Sequence, residues 1–293
     1  MFKKICILVA TRNRKTSLIK FLNSVVNLQI PNNINVQVLL SINDNQNYSE
    51  IINLFKNKFR IRIVTERKKG ISNARNKYLK SINKNEFDYF AFFDDDVEVD
   101  KKWLVEMLNF LNKNKADIVG GPQLTKSNSM FSKLLVRNER HGSKVKWVST
   151  NNCIVKKKVL QTNITFDQKM NLIGGEDQLF FLKLYKMGLK LKWNRKAKVI
   201  EEEKKKSKNL FWFLRRNFRY GASSNLIYKK TYGFFGGIFF TLIKFLLDLI
   251  RLVYYLLISI NLSKKNFYRF LMYTVRLLGL IFGLFGFQYK EYA

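Results

Sequence analysis

Phe90-Ala91-Phe92-Phe93-Asp94-Asp95-Asp96 is the stretch on which the fold turns. Tyr89 to Phe93 is an apolar, β-prone run of the length of a buried strand, and it stops at three consecutive carboxylates. Successive side chains on an extended chain alternate in direction. Asp94 and Asp96 are therefore expected to converge just past the strand's carboxyl end, where open α/β sheets hold their ligands. Three adjacent negative charges repel one another and call for a counter-ion. A hard divalent cation shared with a diphosphate would supply it. Taken alone, the triplet is equally an ordinary solvated turn, since Asp is a frequent turn former.

Working outward, strand-like and helix-like stretches alternate. Ile5–Ala10, Val36–Ile42 and Ile61–Val64 read as strands. Leu18, Ile19, Leu22, Val25 and Val26 recur at helical spacing, as do Ile51, Ile52, Leu54 and Phe55, residues 72–82, and residues 101–114 with Trp103, Leu104, Met107, Leu108 and Leu111. Strands separated by helices of this length predict an α/β fold with a parallel sheet and right-handed crossovers. Past residue 116 the order changes. Ile118–Gly121, Lys146–Val155 and Lys190–Asn194 read as further strands, and Lys126–Lys144 as a polar, mobile loop.

The 293 residues leave room for one sizeable domain and an appendage. With 47% hydrophobic and 15% aromatic residues a packed core is within reach. The net charge of +33 admits nucleic acid, an anionic membrane surface, or a base-composition bias in a chain rich in Lys, Asn and Ile. Nucleic-acid binders concentrate their charge on one module. Here Lys and Arg are spread widely and peak at 190–230, just before an apolar tail, which favours the membrane surface over nucleic acid. Cys6 and Cys153 stand in no metal-ligand spacing and read as buried, reduced thiols of a reducing compartment. The single histidine, His141, excludes a multi-His metal site and reads as a loop residue. The six apolar residues Ile5–Ala10 are short for a signal-peptide core, and Arg12 and Arg14 follow at once.

Five pieces stand in a meaningful order: Ala10-Thr11-Arg12-Asn13-Arg14, Asn43-Asp44-Asn45, Gly70-Ile71-Ser72-Asn73-Ala74-Arg75-Asn76, Phe93-Asp94-Asp95-Asp96 and Gly174-Gly175-Glu176-Asp177. Together they resemble the family 2 glycosyltransferases of the GT-A fold over roughly residues 3–205. The resemblance implies a Rossmann-like domain at 1–205 that transfers a sugar from a nucleoside-diphosphate-sugar donor to an acceptor hydroxyl. It implies Asp94 and Asp96 as ligands of Mg²⁺ or Mn²⁺, with Asp95 turned into the fold, and Asp44 as a contact to base or ribose. Thr11 and Arg14 either line the nucleotide pocket or are ordinary loop polarity. Arg75 either reaches phosphate or pairs with a carboxylate. Asp177 is the candidate general base and Glu176 its alternative; both also suit a helix N-terminus, where the dipole favours carboxylates. The preceding Gly-Gly argues for a tight loop close to a ligand. Attack from the far side would invert the anomeric centre. Asn151 or Asn152, in Trp147-Val148-Ser149-Thr150-Asn151-Asn152-Cys153, is expected near the acceptor sugar or else as a polar strand end. Glu201 matches a family acid, although the run Glu201-Glu202-Glu203 also suits neutralisation of neighbouring lysines. Processive relatives carry Q-x-x-R-W; here Arg216-Asn217-Phe218-Arg219-Tyr220 has Arg for Gln and Tyr for Trp, which favours transfer of a single sugar. Arg215 and Arg219 share a helix face and suit the leaving diphosphate or anionic lipid. The rival readings are a metal-dependent nucleotidyltransferase and a non-catalytic membrane or nucleic-acid binding protein.

Residues 206–293 read as a basic linker helix and two hydrophobic, membrane-associated helices. In 233–260 Lys244, Asp248 and Arg251 interrupt the apolar run. Three central charges cost about 8–10 kcal/mol and the eighteen Leu, Ile, Phe and Val residues return ~5–11, so an isolated span is marginal and a Lys244–Asp248 pair tips it. Residues 270–287 carry only Arg276 and are a short spanning candidate. Positive charge flanks the first segment on both sides, Lys204–Lys230 and Lys264, Lys265 and Arg269. A hydrophobic hairpin or in-plane helices on the cytoplasmic face satisfy the positive-inside tendency better than a single crossing. That placement motivates the expectation of a lipid-linked or otherwise membrane-bound glycan acceptor. A buried soluble helix pair or dimer interface is the plainer alternative.

Overall fold

Side-chain alternation along one strand organises the sheet. In β1 (Lys3–Thr11) Ile5, Ile7 and Val9 enter one core, and Cys6 and Leu8 enter another on the opposite face. β4 (Tyr89–Asp94) repeats the pattern, with Ala91 and Phe93 on the first face and Phe90 and Phe92 on the second. The first face is covered by α1 (Lys15–Val26), α2 (Ser49–Phe55) and α4 (Trp103–Lys113). The second is covered by α3 (Ile71–Ser81), α6 (Lys157–Gln161) and α7 (Glu176–Lys186). A strand buried on both faces is apolar throughout, which is why these runs show no polar alternation.

The computed structural model describes residues 2–202, 209–259 and 263–290. Its seven-stranded sheet adds β2 (Ile34–Ile42), β3 (Arg60–Thr65), β6 (Ile118–Gly120), β8 (Cys153–Lys156) and β9 (Leu191–Trp193), in the order β3-β2-β1-β4-β8-β6-β9. The first four strands in sequence pair parallel, as the alternation of strands and helices predicts. β8 runs antiparallel to both β4 and β6, so the sheet is mixed. A second sheet joins β5 (Val97–Val99), β10 (Val199–Glu201) and β7 (Gln123–Thr125). Its three-residue strands are too short to display a period. The strand expected from Lys146 begins only at Cys153, because Asn152 N closes a turn on Ser149 O at 3.3 Å. The segment expected as a polar loop at Lys126–Lys144 contains α5 (Met130–Leu135), whose Phe131 packs on Phe213 and Tyr268 at 5.2 and 4.9 Å.

The chain divides into two units. One comprises Met1–Lys126, Val136–Gln168 and Glu176–Glu202; the other comprises Ser127–Leu135, Lys169–Gly175 and Glu203–Ala293. Glu203 and the lysines at 204–206 lie outside the described residues. The second unit is built on α8 (Leu210–Ser259) and α9 (Lys264–Leu284). α8 is two limbs joined at Gly233, whose φ of 81° breaks the helix. Asn225 donates to Thr241 Oγ1 at 3.1 Å, whereas sixteen residues of straight helix would separate them by about 24 Å. The chain therefore doubles back on itself, with Tyr228 and Tyr232 against Phe240. Both helices are long and apolar enough to cross a membrane by length and composition, and their exposed positions include Leu246, Ile250, Leu257, Leu278 and Phe282.

Small residues let the first limb of α8 meet α9. A Cβ on Gly221 would collide with Arg276 O, and one on Gly279 with Phe218 O. Backbones this close are the use of small-residue spacings in apolar helix pairs. Gly279→Ala is expected to destabilise the second unit by about 1–3 kcal/mol, read as a lower thermal midpoint in detergent. An unchanged midpoint would mean that the helices do not cross there.

Candidate active site

β4 ends at Asp94 and the chain turns at Asp95–Asp96, so the period of two stops one residue into the triplet. Asp94 lies on the α3 side of the sheet, where Arg75 Nη2 donates to its Oδ1 at 2.9 Å. Asp95 lies on the α1 side. Its Oδ2 accepts from Thr11 Oγ1 at 2.7 Å and its Oδ1 from Arg14 Nη1 at 3.1 Å. The same Arg14 nitrogen donates to Asp96 Oδ2 at 2.9 Å. Arg14 thus joins adjacent carboxylates, where alternation had set Asp96 beside Asp94. Asp95 is turned into the fold. Burial raises its carboxyl, Arg14 and Thr11 pull the other way, and the balance stands at about 6.

Asp44 follows β2 and is held on three sides. Asn13 N and Tyr48 Oη donate to its Oδ2 at 2.6 and 2.8 Å, and Gln46 N donates to its Oδ1 at 2.8 Å. Burial works to raise this carboxyl, but the donors outweigh it and it is lowered. Asn13 takes a φ of 53° to make its contact. Thr11, Arg14, Asp44 and the Asp triplet therefore form one constellation at the carboxyl ends of β1, β2 and β4.

Arg75 carries the constellation to the opposite face. Its side chain is 5% exposed, and besides Asp94 it donates through Nη1 to Glu176 Oε1 at 2.7 Å. The guanidinium lies over the Phe166 ring at 5.5 Å. Burial opposes its charge, and Asp94 and Glu176 more than restore it. Of the two roles open to Arg75, the structure displays the carboxylate partner, twice over.

Gly174 and Gly175 have φ of 78° and 85°, a left-handed pair that only glycine adopts without strain, and α7 starts at the next residue. Glu176 and Asp177 stand in its first turn with different partners. Glu176 is bound to Arg75, while Asp177 Oδ2 accepts from Ser149 Oγ at 3.0 Å and its Oδ1 from Gln178 N at 2.7 Å. Burial raises the Asp177 carboxyl, Glu176 raises it further and Arg75 lowers it; it stands at about 6.

Other expected residues divide. Asn152 is structural: it accepts from Trp103 Nε1 at 2.6 Å and donates to Pro122 O and Ala197 O. Asn151 is buried, donates to Gln123 Oε1, and leaves its Oδ1 without a partner. Glu202 neutralises Lys20 at 2.5 Å and accepts from Ser17. Arg219 belongs to the second unit, buried on α8 against the Tyr220 ring at 5.3 Å. Cys6 and Cys153 are free and buried, and burial raises both thiols. His141 is a loop residue whose Nδ1 accepts from Arg195 N. The supporting shell went unread: Ser149 under Asp177, Tyr48 under Asp44, and Asn43, which donates to Glu66 O and Lys68 O and accepts from Gly70 N. Ser149 and Asn43 both lie inside quoted motifs, and their hydroxyl and amide chemistry was the available signal.

Among the described residues no three His, Cys, Asp or Glu groups gather to hold a metal ion. A closed protein cage is therefore not what these carboxylates offer. Mg²⁺ is ordinarily held by one or two carboxylates with substrate phosphates completing the shell; Asp94 and Asp96 are hard oxygen donors of that type, each held here by its own arginine.

The sequence profile of glycosyl transferase family 2 matches residues 6–174. The chain belongs to glycosyl transferase family 2. Among solved structures this family 2 transferase is similar to S. aureus TarS. The 1–349 fragment superposes with a TM-score of 0.58 at 16% identity, covering 93% of this chain and 91% of that one. The same fragment in complex with UDP-GlcNAc gives 0.54 at 15%, covering 78% and 71%. A longer TarS structure gives 0.55 at 18%, and there the match covers 73% of this chain and only 38% of the other. At these identities the likeness is one of fold, the GT-A fold. No protein of curated function matches the sequence significantly.

Proposed function

We propose that this transferase moves a sugar from a nucleoside-diphosphate-sugar to an acceptor hydroxyl, with Asp177 as the general base and inversion at the anomeric carbon. One observation carries the reading: Arg75 ties the acid cluster after β4 to the acidic turn that opens α7. A donor diphosphate held at the first and an acceptor hydroxyl at the second would be within one constellation. The UDP and UDP-GlcNAc complexes of TarS support a donor of this class.

Thr11, Arg14 and Asp44 bind and orient the nucleotide, and Asp94 and Asp96 would hold Mg²⁺ or Mn²⁺. When bound, such an ion supplies positive charge against the negative charge that develops on the leaving diphosphate. Asp177 takes the proton from the acceptor hydroxyl as that oxygen attacks the sugar. A carboxyl raised to about 6 is ionised at neutral pH yet basic enough to share a proton in the transition state. Glu176, bound to Arg75, positions the pair. Asn151 is suited to a sugar hydroxyl through its unpartnered Oδ1. The apolar helices of the second unit support membrane association. With basic residues at both ends of α8 we place the catalytic unit on the cytoplasmic face, acting on a membrane-bound or lipid-linked glycan acceptor and adding single sugars.

The test is a panel of nucleotide-sugars, uridine diphosphate sugars first, followed by thermal shift and by product. Donor binding is expected to raise the midpoint, more so with Mn²⁺ than with EDTA, and turnover to release a nucleoside diphosphate. Release of pyrophosphate would instead mark a nucleotidyltransferase and end this reading.

A further inference from the structure

Residues 209–290 carry twelve Lys and Arg against one carboxylate, Asp248. Asp248 is fully buried in the second limb of α8, with Lys244 Nζ at 3.2 Å and Arg251 Nη1 at 2.9 Å. Arg251 and Arg276 flank the same ring of α9, Tyr273, at 5.9 and 5.4 Å. Arg276 donates Nη2 to Asn217 Oδ1 at 2.5 Å, while its Nε is buried with no partner. One carboxylate thus pairs with two cations, Arg276 stands beside them across the Tyr273 ring, and the three cations exceed the single carboxylate by two positive charges. The exposed positions around it, Leu247, Ile250 and Tyr254, are apolar. Surplus charge in apolar surroundings is unfavourable until an opposite charge completes it, and ionisable groups in such places mark ligand sites. Arg251, half exposed, opens the cluster to the outside.

We propose that this cluster binds the phosphate of an anionic phospholipid headgroup, seated at Arg251 between the second limb of α8 and α9, with acyl chains along Leu247 and Ile250. The proposal rests on the membrane association proposed above and adds which lipid the unit takes. Guanidinium and ammonium donors match phosphate oxygens through charge-assisted hydrogen bonds. A nucleic acid would bring its sugars and bases onto leucine and isoleucine, which the apolar rim disfavours.

Flotation of the full chain with phosphatidylcholine vesicles, with and without phosphatidylglycerol, tests it. Binding to both is expected, tighter to the anionic vesicles. Arg251→Gln is expected to weaken the anionic preference about 5-fold and Arg251→Lys to keep it. Lys265→Gln, an exposed charge at the start of α9, is expected to lose less. Failure to float with either vesicle would sink the membrane association itself. Equal binding to both vesicles, or equal losses in Arg251→Gln and Lys265→Gln, would overturn the anionic-headgroup site and leave membrane association standing. Displacement by inorganic phosphate or by an oligonucleotide would overturn a lipid as the ligand.

Discussion

Arg75→Met is expected to destabilise the catalytic unit by about 3–5 kcal/mol, because it leaves Asp94 and Glu176 facing one another across a buried gap without their shared cation. Asp94 is 37% exposed on its side chain and Glu176 is 12% exposed, so most of the penalty falls on Glu176. Arg75→Lys keeps the charge but not the two-pronged geometry, and an intermediate loss is expected. Urea unfolding at neutral pH reads both. A midpoint unmoved in Arg75→Met would mean that the two carboxylates do not depend on the guanidinium. The substitution has a second readout. Arg75 lowers the Asp177 carboxyl in the native protein, so its loss shifts the acid limb of the pH–rate profile upward in whatever activity remains.

Asp177→Asn is expected to reduce kcat by about 10²–10⁴ with donor binding intact. Wild-type activity should rise with pH through about 6, where the carboxyl ionises. Stability should move the other way. The folded value of Asp177 lies above the ordinary 3.8, so the protonated form is the one the fold favours. That contribution is complete at low pH and is lost as pH rises through about 6. The Asn variant, neutral throughout, is then expected to be more stable than wild type by about 3 kcal/mol near pH 8, with the gap closing toward pH 3. Stopped-flow or steady-state kinetics and thermal unfolding on the same preparation measure both. An Asn variant with full turnover would remove Asp177 from the chemistry; one destabilised at high pH would remove the burial argument.

Periodicity carried the reading of the first four strands and their helices, since a buried strand and an amphipathic helix each announce themselves within ten residues. It failed where elements were three residues long, as in β5, β7 and β10, and where a turn interrupted a β-prone run, as at Ser149–Asn152. The same limit fell on the site. Thr11, Arg14, Asp44 and the Asp triplet were reachable because each lies at or just past the end of a strand. Asn151 and Asn152 could not be told apart, because an amide facing a sugar and an amide tying Trp103 to two carbonyls look alike in one dimension.

The sequence by itself determined the order of the first four strands and their helices, the two glycines before α7 and the surplus of positive charge in the tail, because period, backbone freedom and charge are local properties. Only the tertiary structure decided which acid answers to which cation. Arg14 joins Asp95 to Asp96 because β4 ends one residue into the triplet, and Arg75 joins Asp94 to a glutamate 101 residues away because α3 and α7 cover the same face of the sheet. Ion pairs depend on where elements stop and which face they cover, and spacing along the chain carries neither.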